Sequence, residues 1–408
     1  MKSETIFKYM FILILPSVLV SFAANSFFFI IASLIAIVKL RNNYPPSFFK
    51  KYLWFSTFIV SILLALTLDV YNQQVFDIGE LTKRLAFILM PIVVYYSKNN
   101  HQRLALKILV YFLTLMSSAL MIIGLMRSWL NKGNIVYGNW DSDTTEKFYA
   151  NEMLLNWGEL SYKRIFLFLD MHPSYYAFFS TVVISILLFT SIIKQKKWQR
   201  LTLLILHSAM ILMVSSKAGI ISLLLITIIE FFHRKQPKQM IIGIFIFSLI
   251  ILSALSMPST RLRIERAYES ITQQDNPGQS NSLGRLILWN SLNEFSSQEL
   301  ATGIGINASR EKIKKLTGVD KNMHNQFLQS LVSGGIIGFF LLFCFILLPV
   351  IYSKHLFTYV FIALLFINLL LENMMDRVWG IMIISFFYSL FIFGDQSLFN
   401  KNSDQGYT

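Results

Sequence analysis

The chain is 408 residues long, and hydrophobic side chains make up 55% of it against 14% charged. A soluble domain carries about 25% charged residues, so a water-soluble enzyme of two domains, a disordered chain and a low-complexity chain are excluded. The formal charge of +14, from 36 Lys and Arg against 22 Asp and Glu, is spread between long apolar runs and not gathered in a basic domain. That distribution points to membrane topology and away from nucleic acid. The single cysteine, Cys344, lies in an apolar run and excludes a disulfide framework or a Cys-based metal site.

In chain order the apolar runs predict an all-α polytopic membrane protein with about twelve spans: 9–22, 26–38, 52–70, 84–96, 104–125, 174–193, 201–214, 220–232, 240–256, 331–352, 356–371 and 378–393. The run 9–38 holds no charge, and the run 201–232 holds only Lys217. Basic residues flank both ends of each: Lys2, Lys8, Lys39 and Arg41 around the first, Lys194 to Arg200 and Arg234 to Lys238 around the second. Basic residues prefer the cytoplasmic side, so each run is read as a hairpin, turning at Ala23-Ala24-Asn25 and at Ser215-Ser216-Lys217. Both termini are then cytoplasmic. Of the 36 Lys and Arg, 18 fall on the cytoplasmic side and 4 (Lys83, Arg84, Lys217, Arg377) in short outside turns. The remainder lie in or beside two long outside segments, where the rule does not count them. A signal-peptide reading of the first run, with Ser21 and Ala23 at a cleavage site, is set aside because a second apolar run follows at once.

Residues 1–408 are read as one integral membrane domain with two long outside segments, 127–171 and 258–330. The second is predicted to be partly helical, over 261–272 and 283–295, with a turn at Asp275-Asn276-Pro277-Gly278. A loop this long in a compact protein is usually functional.

The larger loop holds the most suggestive side chains. Arg285 and Trp289 are four apart and share a helix face, and the guanidinium fork suits bidentate phosphate binding. His324-Asn325 precedes a span by only a few residues, which puts an imidazole able to accept a hydroxyl proton at the membrane boundary. A solvated charge and a satisfied polar residue are the plainer readings of these two, and Gly303-Ile304-Gly305 alone is only a turn. The 32-residue hairpin around Lys217 leaves about 14 residues per arm, so its turn is expected below the outer surface. A cation there lines a wet cavity, meets an anion or snorkels. His172 opens a span just before Pro173, Tyr175 and Tyr176, where an aromatic belt is the plainer reading. Glu372 and Asp376 are four apart beside Arg377, as in an ion-paired cap. Asp141-Ser142-Asp143 has the spacing of a divalent-metal pair, with a solvated acidic loop as the plainer reading.

As a set, Ser216-Lys217-Ala218, Gly284-Arg285 with Trp289, Gly303-x-Gly305, His324-Asn325, the Gly-rich helix start after it, and Glu372 with Asp376-Arg377 resemble the O-antigen ligase/polymerase superfamily of bacterial membrane glycosyltransferases. The resemblance implies about twelve spans in the bacterial inner membrane and a large periplasmic loop between spans 9 and 10. It implies transfer of a glycan from undecaprenyl diphosphate to lipid A–core, to another repeat unit or to a protein, with membrane lipid the remaining partner. Carried over by position, His324 would be the catalytic base, and Arg285 and Lys217 would hold the donor diphosphate. Trp289, Asn325, His172, Glu372 and Arg377 would support them. No metal or cofactor is implied, which counts against the Asp141/Asp143 pair. The family usually has Arg where this chain has Lys217, and Lys keeps the charge but loses the fork. A lipid-linked sugar transporter is the rival from another class. It would place ionisable groups mid-membrane, whereas here they collect at one face.

Overall fold

Backbone that crosses lipid must close its hydrogen bonds internally, and the described residues do so almost entirely with helices. The computed structural model describes residues 2–41, 44–131, 171–234, 281–318 and 320–399, with fragments at 136–137, 147–148, 159–160, 165–166, 169, 248–249 and 251–253. The helices before the larger loop are α1 (Lys2–Val18), α2 (Phe22–Leu40), α3 (Pro46–Phe55), α4 (Thr57–Tyr71), α5 (Ile78–Lys83), α6 (Ala86–Tyr96), α7 (Asn99–Leu130), α8 (Pro173–Phe189), α9 (Lys197–Val214) and α10 (Lys217–Arg234). Three short loop helices follow, α11 (Asn281–Asn290), α12 (Ser297–Thr302) and α13 (Ile306–Thr317). The last three are α14 (Gln326–Tyr352), α15 (Leu356–Leu371) and α16 (Val378–Phe393). The described exception is a two-residue antiparallel ladder of β1 (Val136–Tyr137) and β2 (Lys147–Phe148).

Among the described residues three helices, α2, α7 and α14, are long and apolar enough to cross a membrane, and the α3–α4 pair, bent by 45°, would make a fourth. The shorter helices α8, α15 and α16 are also strongly apolar. The protein is thus an α-helical polytopic membrane protein. The last two helices match the expected runs 356–371 and 378–393 end for end. The expected span 240–256 lies mostly outside the described residues, as do the expected helix 261–272, the turn at 275–278 and the Asp141/Asp143 pair.

One expected turn falls elsewhere. The first hairpin turns at Leu19-Val20-Ser21, not at Ala23-Ala24-Asn25. Ser21 caps α2 by accepting from the Ala24 N–H at 3.4 Å. Asn25 can then sit inside the helix, because its amide donates to the Ile14 carbonyl at 2.6 Å and the Ser17 hydroxyl at 3.2 Å across the hairpin. A polar side chain read as a turn residue is instead a buried clamp between two helices.

The chain divides into two compact units. The first comprises Met1–Leu109, Phe189–Ile192 and Arg285–Thr408. Its centre is α16, where every residue from Trp379 to Ile392 is buried, as expected of a helix apolar on all sides. Phe345 of α14 meets Phe55, Phe58, Phe87 and Tyr388 at centroid distances of 5.6, 5.3, 5.4 and 4.9 Å. That one ring ties α3, α4, α6 and α16 to α14, and each such pair adds roughly 0.5–1.5 kcal/mol beyond area burial.

The second unit comprises Val110–Leu188 and Ile193–Gly284. Its helices are joined by polar contacts, a buried one between Ser117 and the Tyr176 hydroxyl at 2.6 Å and a partly buried one between Thr114 and His207 Nε2 at 3.2 Å. Gly219, in the first turn of α10, faces Ala177, the fifth residue of α8, so closely that a Cβ would come within 2.6 Å of the alanine methyl.

Candidate active site

The described part of the larger loop builds its own small core before it presents any chemistry. Leu288, Phe295, Ile313, Met323 and Val332 are buried together, with Trp289, Leu292 and Ile304 packed against them. Ser296 and Glu299 form a capping box that starts α12, with bonds of 3.2 and 2.7 Å. Lys312 reaches the same Glu299 carboxylate at 2.7 Å.

This core is fastened to α14 by backbone. Ile304 N–H donates to the Val332 carbonyl at 3.1 Å and Gly305 N–H to the Ser333 carbonyl at 2.9 Å. The contact is closed by two glycines: a Cβ on Gly303 would come within 2.5 Å of Gly335 N, and one on Gly335 within 2.4 Å of the Ala301 carbonyl oxygen. Gly335 has φ 66 and ψ −163, a conformation open essentially to glycine alone, and it kinks α14 there. Gly303-x-Gly305 is therefore a docking joint. Asp69, at the end of α4, completes it by capping α13, its Oδ1 accepting from the Asn307 and Ala308 N–H groups at 2.8 and 3.1 Å.

On this frame the loop meets the turn between α15 and α16. Arg285 Nη2 donates to Glu372 Oε1 at 2.6 Å, and Glu372 Oε2 lies 3.3 Å from His324 Nδ1. Arg285 and His324, both named from the sequence, thus converge on the carboxylate of Glu372, the third residue named there. The His324 side chain is 31% exposed and Glu372 11%, so the imidazole is reachable while the carboxylate beneath it is not. The Arg285 side chain is 23% exposed beside that carboxylate. His324 has φ 48, left-handed for a residue with a side chain. Asn325 caps α14, accepting from the Phe327 and Leu328 N–H groups at 3.0 and 3.2 Å. Trp289 donates from Nε1 to the Met323 carbonyl at 2.9 Å.

The turn that carries Glu372 is itself braced. Gln326 Oε1 accepts from the Met375 N–H at 3.0 Å. Asp376 pairs at 2.6 Å with Arg84, a buried guanidinium that also bonds Glu80 at 2.5 Å. Burial pushes the Glu80 carboxyl up, but the Arg84 charge and the hydrogen bonds from Arg84 and Lys83 outweigh it and hold the group at about 2. Arg310 of α13 adds a further cation 3.6 Å from Glu80. The expected ion-paired cap exists with different partners: Glu372 and Asp376 are satisfied by Arg285 and Arg84, while the exposed Arg377 joins neither.

Sequence reasoning missed Glu80, Arg84 and Asp69. Glu80 and Arg84 stand four apart, a spacing that signals a helical ion pair, but Arg84 registered only as one of the outside charges.

In the second unit Ser215 turns the chain in the left-handed region at φ 53, and the Ser216 hydroxyl accepts from the Gly219 N–H at 3.3 Å. Lys217 follows as the exposed first residue of α10. His172 precedes α8, its Nδ1 accepting from the Ser174 N–H at 3.4 Å and its ring lying edge-on to Tyr175 at 6.1 Å. Among the described residues no three His, Cys, Asp or Glu side chains gather where a metal ion could be held.

No curated protein matches the chain. Residues 201–343 match the model of the family described as O-Antigen ligase, a stretch that takes in Lys217, Arg285, Trp289, both loop glycines, His324 and Asn325. Over that segment the chain is similar to the O-antigen ligase family.

Proposed function

We propose that the protein transfers a glycan from undecaprenyl diphosphate to an acceptor hydroxyl at the periplasmic face of the bacterial inner membrane, with lipid A–core as the acceptor. The observation that carries this reading is the contact of His324 Nδ1 with a carboxylate that Arg285 also binds. A carboxylate on Nδ1 selects the tautomer with its proton there and leaves the Nε2 lone pair as the base. His324 Nε2 removes the acceptor proton, the oxygen attacks the anomeric carbon, and the bond to the diphosphate breaks with inversion. The diphosphate is already a good leaving group and needs positive charge more than it needs an acid. Arg285 and Lys217 supply that charge in place of a divalent ion. Trp289, Asn325, His172 and Arg377 complete the surroundings in this reading. Twelve spans with both termini cytoplasmic would put the 258–330 loop on the periplasmic side, where lipid-linked glycans are used.

The family description supports ligation, and the same chemistry serves a repeat-unit polymerase. Deletion of the gene followed by glycolipid analysis separates them: loss of a ligase leaves full-length polymer on the carrier lipid, and loss of a polymerase leaves single repeats on lipid A–core. Purified protein in detergent with a lipid-diphosphate donor tests the class itself. Glycan flux without transfer would replace the enzyme with a transporter.

A further inference from the structure

Residue 323 is gripped on both sides of its peptide unit. Its N–H donates to Gln329 Oε1 at 3.2 Å, and its carbonyl accepts from Trp289 Nε1 at 2.9 Å. Its own side chain is fully buried in the loop core. The next residue is His324, in the left-handed region at φ 48, with its N–H turned onto Asn322 Oδ1 at 3.2 Å. A strained backbone persists only where its surroundings over-determine it, and here the determinants are two side chains from different helices.

We propose that Gln329 is a positioning residue for His324. Its carboxamide, three residues into α14 and almost fully buried, fixes the Met323 peptide and so imposes the backbone that aims the imidazole at Glu372. The other end of the same amide donates to Ser309 Oγ at 3.3 Å, which ties α13 to α14 but does not touch the histidine loop. One side chain therefore has a positioning bond and a structural bond, and they can be separated. The proposal rests on the reading of His324 as the base.

The experiment uses the full-length protein in detergent with a polyprenyl-diphosphate-linked glycan and its acceptor. Gln329→Leu keeps the volume and loses both bonds; its kcat should fall on the order of 10–100-fold with KM for donor and acceptor nearly unchanged, since a small misplacement of a reacting group has that effect. Ser309→Ala loses only the structural bond and should stay within about twofold of wild type. In a His324→Ala background, Gln329→Leu should cause no further loss, because a residue that acts through His324 has nothing left to position. Should Gln329→Leu fail to fold, Gln329→Glu keeps the acceptor for the Met323 N–H and should retain kcat within about fivefold. Wild-type kcat in Gln329→Leu, a change in KM alone, an equal loss in Ser309→Ala, a further loss on top of His324→Ala, or a dead Gln329→Glu that is folded would each overturn the proposal. If wild type transfers and His324→Ala does not while Gln329→Leu is unaffected, the positioning role fails and the base assignment stands. Absence of transfer by wild type removes both.

Discussion

His324 and Glu372 are 48 positions apart in the chain and face each other at 3.3 Å, Nδ1 to Oε2. The other oxygen of Glu372 is committed to Arg285. Glu372→Gln keeps the shape but can offer only one acceptor. With the amide oxygen turned to Arg285, the NH₂ faces Nδ1 and forces the histidine into the tautomer with its proton on Nε2, where the base is needed. The expected outcome is a fall in kcat of about 10²–10³-fold, the usual weight of a general base, with KM much less affected. Steady-state kinetics on the purified variant checks this, and full activity would remove Glu372 from the mechanism.

The α-helical membrane class was legible because a long apolar run announces itself by composition: 356–371 and 378–393 coincide with α15 and α16 to the residue. What failed was local and polar. Asn25 looks like a turn residue until a partner helix satisfies its amide, a tertiary fact that hydropathy does not carry. In the site, Arg285 and His324 stand out by residue type. Their shared partner does not, because Glu372 beside Asp376 and Arg377 looks locally self-neutralising. Gln329 gave no signal, because its role lies in a tertiary bond to the Met323 N–H, and the spacing of Arg84 from Glu80 says nothing of its second partner, Asp376.

Arg285 has two tasks that a lysine cannot perform together. It holds Glu372 with one nitrogen and, in the proposed mechanism, the donor diphosphate with the others. Arg285→Ala should lower kcat/KM by at least two orders of magnitude, roughly 3 kcal/mol. Arg285→Lys should recover only part of that, and full recovery would show that the fork is not used.

Lys217 stands at the first position of the 18-residue helix α10, where the helix dipole disfavours a cation by roughly 0.3–1 kcal/mol. The same end attracts an anion, so a bound diphosphate would meet both the ammonium and the helix N-terminus. Lys217→Ala should then lose activity, while Lys217→Arg should keep or improve it, because the fork adds a second hydrogen bond. Identical rates in all three proteins would mean that Lys217 only snorkels.

Glu80 makes stability depend on pH in a definite direction. Its carboxyl is held at about 2, below the ordinary 4.5, so the folded state binds the proton less readily than the unfolded one. The stabilisation is fully present above about pH 4.5 and is lost as pH falls towards 2, and it is on the order of 2–3 kcal/mol. Glu80→Gln should therefore be less stable than wild type at pH 7 and approach it near pH 3. Thermal midpoints in detergent at both pH values measure this. A gap that does not shrink on acidification would show that the Arg84, Lys83 and Arg310 cations do not govern this carboxyl.

Two glycines with positive φ allow strain and contact to be told apart. Gly318 has φ 70 with open space around it, so Gly318→Ala carries only the left-handed penalty, about 1–2 kcal/mol. Gly335 has φ 66, and a Cβ there would also come within 2.4 Å of the Ala301 carbonyl oxygen and 2.7 Å of Gly303 N. Those atoms are backbone and cannot swing aside, so Gly335→Ala must open the joint through which Ile304 and Gly305 hydrogen-bond to α14. It should cost clearly more than the Gly318 variant, about 3 kcal/mol or above. Because that joint also carries the loop bearing His324, activity should fall with stability in Gly335→Ala and stay near wild type in Gly318→Ala. Thermal midpoints and transfer rates measured on the same preparations test both halves. Equal behaviour of the two variants would mean that the glycine joint is not what fastens the loop to the membrane helix.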